Sequence, residues 1–164
     1  MDRTQYSKNM AVRDGDGWIE CGCGSKHWGK FGAAGLLLVR DGEIFLQHRA
    51  PWVHNGDTWG IPGGARDSHE SALEAAIREA VEETGLNPAG ISALTTFVDD
   101  HEIWSYSTVI AVASADLEGH ELNDESHEVR WVAFDDVTRL PLHPSFARSW
   151  PELLIQINNL ITPL

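Results

Sequence analysis

A mixed α/β fold is what this sequence predicts, and three observations predict it. Strand-like segments stand on both sides of the strongest helical segment, a second apolar helical segment lies near the end, and an Asp-Gly pair joins two apolar runs near the front. At 164 residues, 42% hydrophobic and 23% charged, the chain suits one ordinary domain with a buried core.

Residues 1–30 are polar and rich in Gly and Lys, and read as an N-terminal arm ahead of a domain at 31–164. From Gly32 the text becomes strand-like: AAGLLLVR, the turn Asp41-Gly42, then EIFLQHR, which together form a hairpin signal. A loop runs from Ala50 to Gly64, marked by Pro51, Asn55-Gly56 and Pro62-Gly63-Gly64. The segment HESALEAAIREAVEETGL follows, with Leu73, Ala76, Ile77, Ala80 and Thr84 at helical spacing. Ser68 is the expected N-cap, and Gly85 sits where a left-handed C-terminal cap belongs. ALTTFV and WSYSTVIAVA read as strands with a polar loop, Asp99 to Glu102, between them. EVRWVAF is a further strand and FDDV a helical turn. In SWPELLIQINNLI, Pro151 is expected in a first helical turn, where proline is tolerated.

A formal net charge of -13 argues against binding a nucleic-acid polymer or an anionic membrane. A polyanionic small substrate would therefore need bound cations or a few placed basic groups. The opening MDRTQYSKNM contains no apolar signal-peptide core, and the longest apolar stretch, around Ala33 to Val39, is too short to span a bilayer. Two cysteines cannot build a disulfide framework, so a reducing, cytoplasmic setting is expected.

Glu79, Glu82 and Glu83 carry the chemistry. They share one helix face at spacings of three and four, turned from the stripe of Leu73, Ala76, Ile77 and Ala80. Like charges on adjacent turns repel, and Glu82 and Glu83 stand at the helix end where the macrodipole disfavours an anion. A divalent cation would reverse that penalty, since magnesium takes hard oxygen ligands. A solvated acidic face is the ordinary explanation of such a run. The surroundings argue otherwise: Gly63-Gly64 precede the helix, Glu70 opens it, and Arg78 adjoins Glu79. An arginine among carboxylates can fork to one and fix its direction, and glycines let backbone approach a metal or phosphate.

From Gly64 to Leu86 the sequence reads GARDSHESALEAAIREAVEETGL, which resembles the Nudix box G-x5-E-x7-R-E-U-x-E-E-x-G-U, where U is a bulky aliphatic. Gly64, Glu70, Arg78, Glu79, Glu82, Glu83, Gly85 and Leu86 match in register, and Ala80 is a small departure at the first U. WGIPGG ahead of the box and EVRWVAFDDV after it resemble the family's flanking segments, so the likeness covers about Phe31 to Leu140. The resemblance implies a Nudix-type α/β/α sandwich with a mixed sheet, and a hydrolase that uses Mg2+ or Mn2+ to cleave a phosphoanhydride in a nucleoside-diphosphate-linked substrate. By position, Glu79, Glu82 and Glu83 would hold metal with a carbonyl of Gly63 or Gly64, Arg78 would orient a box carboxylate, and Glu70 would partner Arg78. Glu82 and Glu125 are the expected general bases, with His127 and Glu128 as rivals. Family members are often homodimers.

Weaker signals remain. Arg49, Trp52, His54 and Trp59 line the approach to the box, and Arg49 and Trp59 are assigned to the substrate together with His101 and Trp104 of the polar loop region. Cys21-x-Cys23 with His27 offers three metal ligands, and a closed zinc site needs four, so that segment reads as a metal-free loop. ADP-ribose-cleaving relatives often carry a Pro beyond the box, and Asp99 to Glu102 contain none. The substrate reading therefore leans to a (d)NTP or oxidised (d)NTP. ADP-ribose, nucleotide-sugar or dinucleotide cleavage is the alternative, and a noncatalytic nucleotide- or protein-binding module a lesser one.

Overall fold

The AAGLLLVR segment forms the centre of the molecule because both of its faces are covered. A computed structural model of the protein describes residues 13–120 and 126–161. In it this strand, β3 (Ala33–Arg40), is buried at every position but the last. Side chains alternate across a strand. Leu36 and Leu38 pack with Ala75, Ala76 and Ala80 of α1 (Ala72–Thr84), whereas Leu37 and Val39 pack with Phe146, Trp150 and Leu153 of α2 (Pro144–Ile161). A strand held between two helical layers shows a continuous apolar run rather than alternation. The architecture is therefore an α/β/α sandwich.

The sheet is mixed. β3 runs parallel to β8 (Ser105–Ala113), from Ala33↔Tyr106 to Val39↔Val112, and β7 (Ile91–Asp100) adds antiparallel to β8. β3 also turns back into β4 (Glu43–Arg49) through Asp41 and Gly42, whose φ values of 49° and 78° suit the primed turns that match strand twist. β4 pairs with β9 (Ser126–Ala133) and with the short β5 (Trp59–Gly60), while β6 (Gly63–Ala65) pairs with the start of β3. The sheet thus forks beyond the β3–β4 hairpin.

Four expectations change. The cap of α1 is Ser71, not Ser68: its Oγ accepts from the Glu74 amide at 3.1 Å while the Glu74 carboxylate accepts from the Ser71 amide at 3.1 Å, a reciprocal capping box. Ser68 is tied to Asp14 instead. The buried stripe of α1 is Ala75, Ala76, Ala80 and Thr84, with Leu73 39% exposed, so small residues bring the helix close to the sheet. β7 runs on through Asp99 and Asp100, paired with Tyr106 and Ser105, and the turn begins only at His101. Pro151 lies inside α2, which starts at Pro144; the Ser145 amide donates to His143 Nδ1 at 3.2 Å. The helix tolerates the interior proline because Phe146, Trp150, Leu153 and Ile157 bury a full stripe.

Gly85 ends α1 as expected, in the left-handed region at φ 67°, its amide donating to the Val81 carbonyl. The N-terminal arm also has structure. β1 (Trp18–Glu20) and β2 (Lys26–Trp28) pair antiparallel in a sheet of their own. Among the described residues no helix is long and apolar enough to cross a membrane.

Candidate active site

The last two turns of α1 face the β6 backbone, and that approach builds the site. Glu83 is buried, and its carboxylate accepts from the Gly63 amide at 3.1 Å. A side chain at Gly64 would stand 2.6 Å from the carboxyl carbon of Glu79, so only glycine leaves this carboxylate its place. Glu82 is more open, 37% exposed against 14% for Glu79. The face is therefore not uniformly solvated: Glu83 and Glu79 turn into the cleft between α1 and β6, and Glu82 borders it.

Arg78 organises the cluster from below. Its Nε and Nη2 donate to the two oxygens of Glu70, each at 2.7 Å, its Nη1 donates to Glu79 at 2.7 Å, and Nη2 also reaches the Ala65 carbonyl at 3.0 Å. Glu70 accepts further from the Asp67 amide at 2.9 Å. Arg78 holds the Glu70 carboxyl below the usual carboxylate range, and its own guanidinium is pushed up by that pair. Burial pushes Glu79 up, against the opposing pull of Arg78. Behind the site, burial pushes up the phenol of Tyr106, whose hydroxyl lies where side chains at Gly35 and Gly63 would intrude.

A basic residue of the arm enters here. Arg13 Nη1 donates to Glu79 at 3.3 Å, and its Nη2 pairs closely with Glu82. The Gly15 amide donates to Asp67 at 3.1 Å. Nothing local in the sequence marks Arg13, because its partners lie more than sixty residues away.

A family model of the NUDIX domain matches residues 30–154. The chain belongs to the Nudix family. It is 48% identical to a putative 8-oxo-dGTP diphosphatase 3 of Mycobacterium tuberculosis, over 85% of this chain and 69% of that protein. It is 40% identical to a nucleoside triphosphate pyrophosphatase/Nudix hydrolase fusion protein of Bifidobacterium longum, over 90% of this chain but only 33% of the fusion. Among solved structures, a Nudix hydrolase from M. smegmatis, RenU, superposes with a TM-score of 0.80 at 45% identity, covering 92% of this chain and 99% of that one.

Nudix hydrolases generally use divalent metal ions, and the residues here fit one. Glu83 bonds the Gly63 amide and Glu79 fills the space that a Cβ at Gly64 would take, with Glu82 one helical step away beside Arg13, so the donors near this glycine strand are all oxygens.

The other sequence-assigned positions of this Nudix chain are more scattered. The Arg49 guanidinium is clamped on the His54 carbonyl, by Nε at 3.2 Å and Nη2 at 2.9 Å. Trp59 is 5% exposed and joins the α2-side core, stacked on His48 with the Arg130 guanidinium 4.8 Å from its ring, so packing occupies its faces. His101 and Trp104 meet the N-terminal hairpin: His27 stacks on Trp104 with ring centres 4.0 Å apart, and His101 Nδ1 is 3.7 Å from Cys21 Sγ. Glu125 lies outside the described residues, as does the side chain of His127, while Glu128 pairs with Arg130 at 3.2 Å.

Proposed function

We propose that this Nudix hydrolase is a pyrophosphohydrolase of nucleoside triphosphates, with oxidised deoxynucleoside triphosphates among its substrates, working with Mg2+ or Mn2+. The carrying observation is that Glu79 and Glu83 stand against the β6 glycines with Glu82 at the rim of the same helix face, while Arg78 and Glu70 brace Glu79 from behind. The substrate class draws support from the 8-oxo-dGTP diphosphatase name of a relative 48% identical.

Glu79, Glu82 and Glu83 hold the divalent ions, with a carbonyl of Gly63 or Gly64 as a further ligand. Ions held there supply charge to the phosphate oxygens and make water a better nucleophile at neutral pH. Arg78 and Glu70 keep Glu79 in one orientation, so little reorganisation accompanies the reaction. Glu82, the most open of the three, accepts the proton of the attacking water; Glu125 is the second choice. The net charge of -13 fits an enzyme of free nucleotides in the cytoplasm, not of nucleic-acid polymers or membranes. The catalytic unit is 31–164, with 1–30 as an arm.

The test measures phosphate and pyrophosphate release with magnesium or manganese over unmodified and oxidised nucleoside triphosphates, ADP-ribose, nucleotide sugars and dinucleoside polyphosphates, beside Glu82→Gln. Turnover of triphosphates that falls at least about 100-fold in the variant supports the proposal. Turnover unaffected by Glu82→Gln removes this site from the chemistry. A preference for ADP-ribose or sugars moves the substrate class.

A further inference from the structure

The N-terminal hairpin brings together four soft or borderline metal ligands that no single stretch of sequence contains. Cys21 and Cys23 stand in the turn between β1 and β2, His27 on β2, and His101 at the turn between β7 and β8. One ligand atom from each lies within 4.8 Å of all the others. Cys23 Sγ is 3.1 Å from His27 Nε2, and Cys21 Sγ is 3.7 Å from His101 Nδ1. Tetrahedral zinc with Zn–S of about 2.3 Å and Zn–N of about 2.0 Å spaces its ligands by about 3.3–3.8 Å. Small shifts, inward for the widest pairs and outward for Cys23 and His27, would seat the four atoms around an ion.

We infer that Cys21, Cys23, His27 and His101 form a structural zinc site that ties the N-terminal hairpin to the β7–β8 turn of the catalytic domain. Three further features of the structure are those of a zinc site. The Cys23 amide points at Cys21 Sγ, at 3.5 Å, which is how loops of this kind stabilise a thiolate. His101 presents Nδ1 to the cysteine while its Nε2 lies 3.1 Å from Asp99 Oδ2, the carboxylate–histidine–metal relay that fixes ring tautomer and direction. His27 is held by stacking on Trp104 at an interplanar angle of 11°, so its ring is placed before any ion binds.

The donor set selects the metal. Two thiolates and two imidazoles suit zinc, whereas the carboxylates of α1 suit magnesium or manganese, so the protein sorts two metals into two sites. Both thiols lose their protons on binding, and the two resulting charges neutralise the ion. The expectation of a metal-free loop counted three ligands; His101, eighty residues from Cys21, is the fourth. His101 is thereby a zinc ligand and not a substrate contact. Because Arg13 and Gly15 bond Glu79, Glu82 and Asp67, anchoring the hairpin also positions the arm beside the catalytic carboxylates.

The test is elemental analysis of the full-length protein purified without an affinity tag that binds metal, together with cobalt substitution. The expected result is one equivalent of zinc per chain, retained in excess magnesium and in Glu82→Gln but lost in Cys23→Ser and His101→Ala. His101→Cys should keep zinc, and Asp99→Asn should bind it about 10–100-fold more weakly. Cobalt in the wild-type protein should give the thiolate charge-transfer band and strong visible bands of a tetrahedral site. A wild-type protein that neither retains zinc after reconstitution nor shows that cobalt spectrum would overturn the inference, as would zinc held equally tightly by His101→Ala. The cobalt spectrum of the wild type decides the matter even if a cysteine variant fails to fold.

Discussion

Arg78 grips Glu70 with two parallel hydrogen bonds of 2.7 Å, eight residues apart, while its remaining terminal nitrogen holds Glu79. The fork geometry belongs to guanidinium; a lysine ammonium can satisfy one of these oxygens at a time. Arg78→Lys should lower kcat about 10–100-fold with a smaller change in KM, because Glu79 loses its bracing while substrate contacts remain. It should also destabilise the fold by about 2 kcal/mol, read by denaturant titration. An Arg78→Lys enzyme with unchanged kcat would show that Glu79 keeps its orientation without the fork.

Gly64 stands where any Cβ would press on the Glu79 carboxyl carbon, 2.6 Å away. Gly64→Ala should therefore push that carboxylate aside and weaken activating-metal binding at least about 10-fold. The associated overpacking should cost about 1–3 kcal/mol of stability. Titration of activity against manganese checks the first effect and thermal unfolding the second.

Arg13 is a built-in cation on Glu79 and Glu82. On the proposed assignment those carboxylates hold the divalent ion, so Arg13 and the ion would compete. Arg13→Ala should lower the metal concentration for half-maximal activity by about 2–10-fold, the worth of a partly exposed ion pair of about 1 kcal/mol. A rise in KM for substrate with no change in metal dependence would instead make Arg13 a phosphate contact.

His143 links acid sensitivity to α2. Burial, and then the nearby Arg49, push its imidazole down to about 4, and its Nδ1 accepts the Ser145 amide, which requires the neutral ring. The unfolded chain binds this proton near pH ~6.5 and the folded chain only near its depressed value. The unfolded state therefore holds more protons in between, so stability is complete above about pH 6.5 and is lost as pH falls towards about 4. The loss should amount to about 1–3 kcal/mol after allowance for partial exposure, and His143→Gln should flatten that part of the curve. Denaturation midpoints measured across this range check both.

Much of this protein was legible along the chain because the determinants are local. The box spacing that places Glu79, Glu82 and Glu83 on one helix, the αL glycine at Gly85 and the Asp41-Gly42 turn all depend on neighbours a few residues away. The choice of Ser71 over Ser68 as cap was less legible, since both precede the apolar run. Only Ser71 has Glu74 three residues on, and Asp14 of the arm takes Ser68.

What the sequence by itself determined is the helix, its carboxylates and the glycine turn that receives them, since periodicity and backbone sterics act over one or two turns. The tertiary structure alone decided which distant groups meet. The pairing of β7 and β8 carries His101 to Cys21, the arm delivers Arg13 to Glu79, and the forked sheet buries Trp59 in the core. Those meetings rest on long-range pairing and on the burial of both faces of β3, and no spacing along the chain records where a folded sheet will bring its edges.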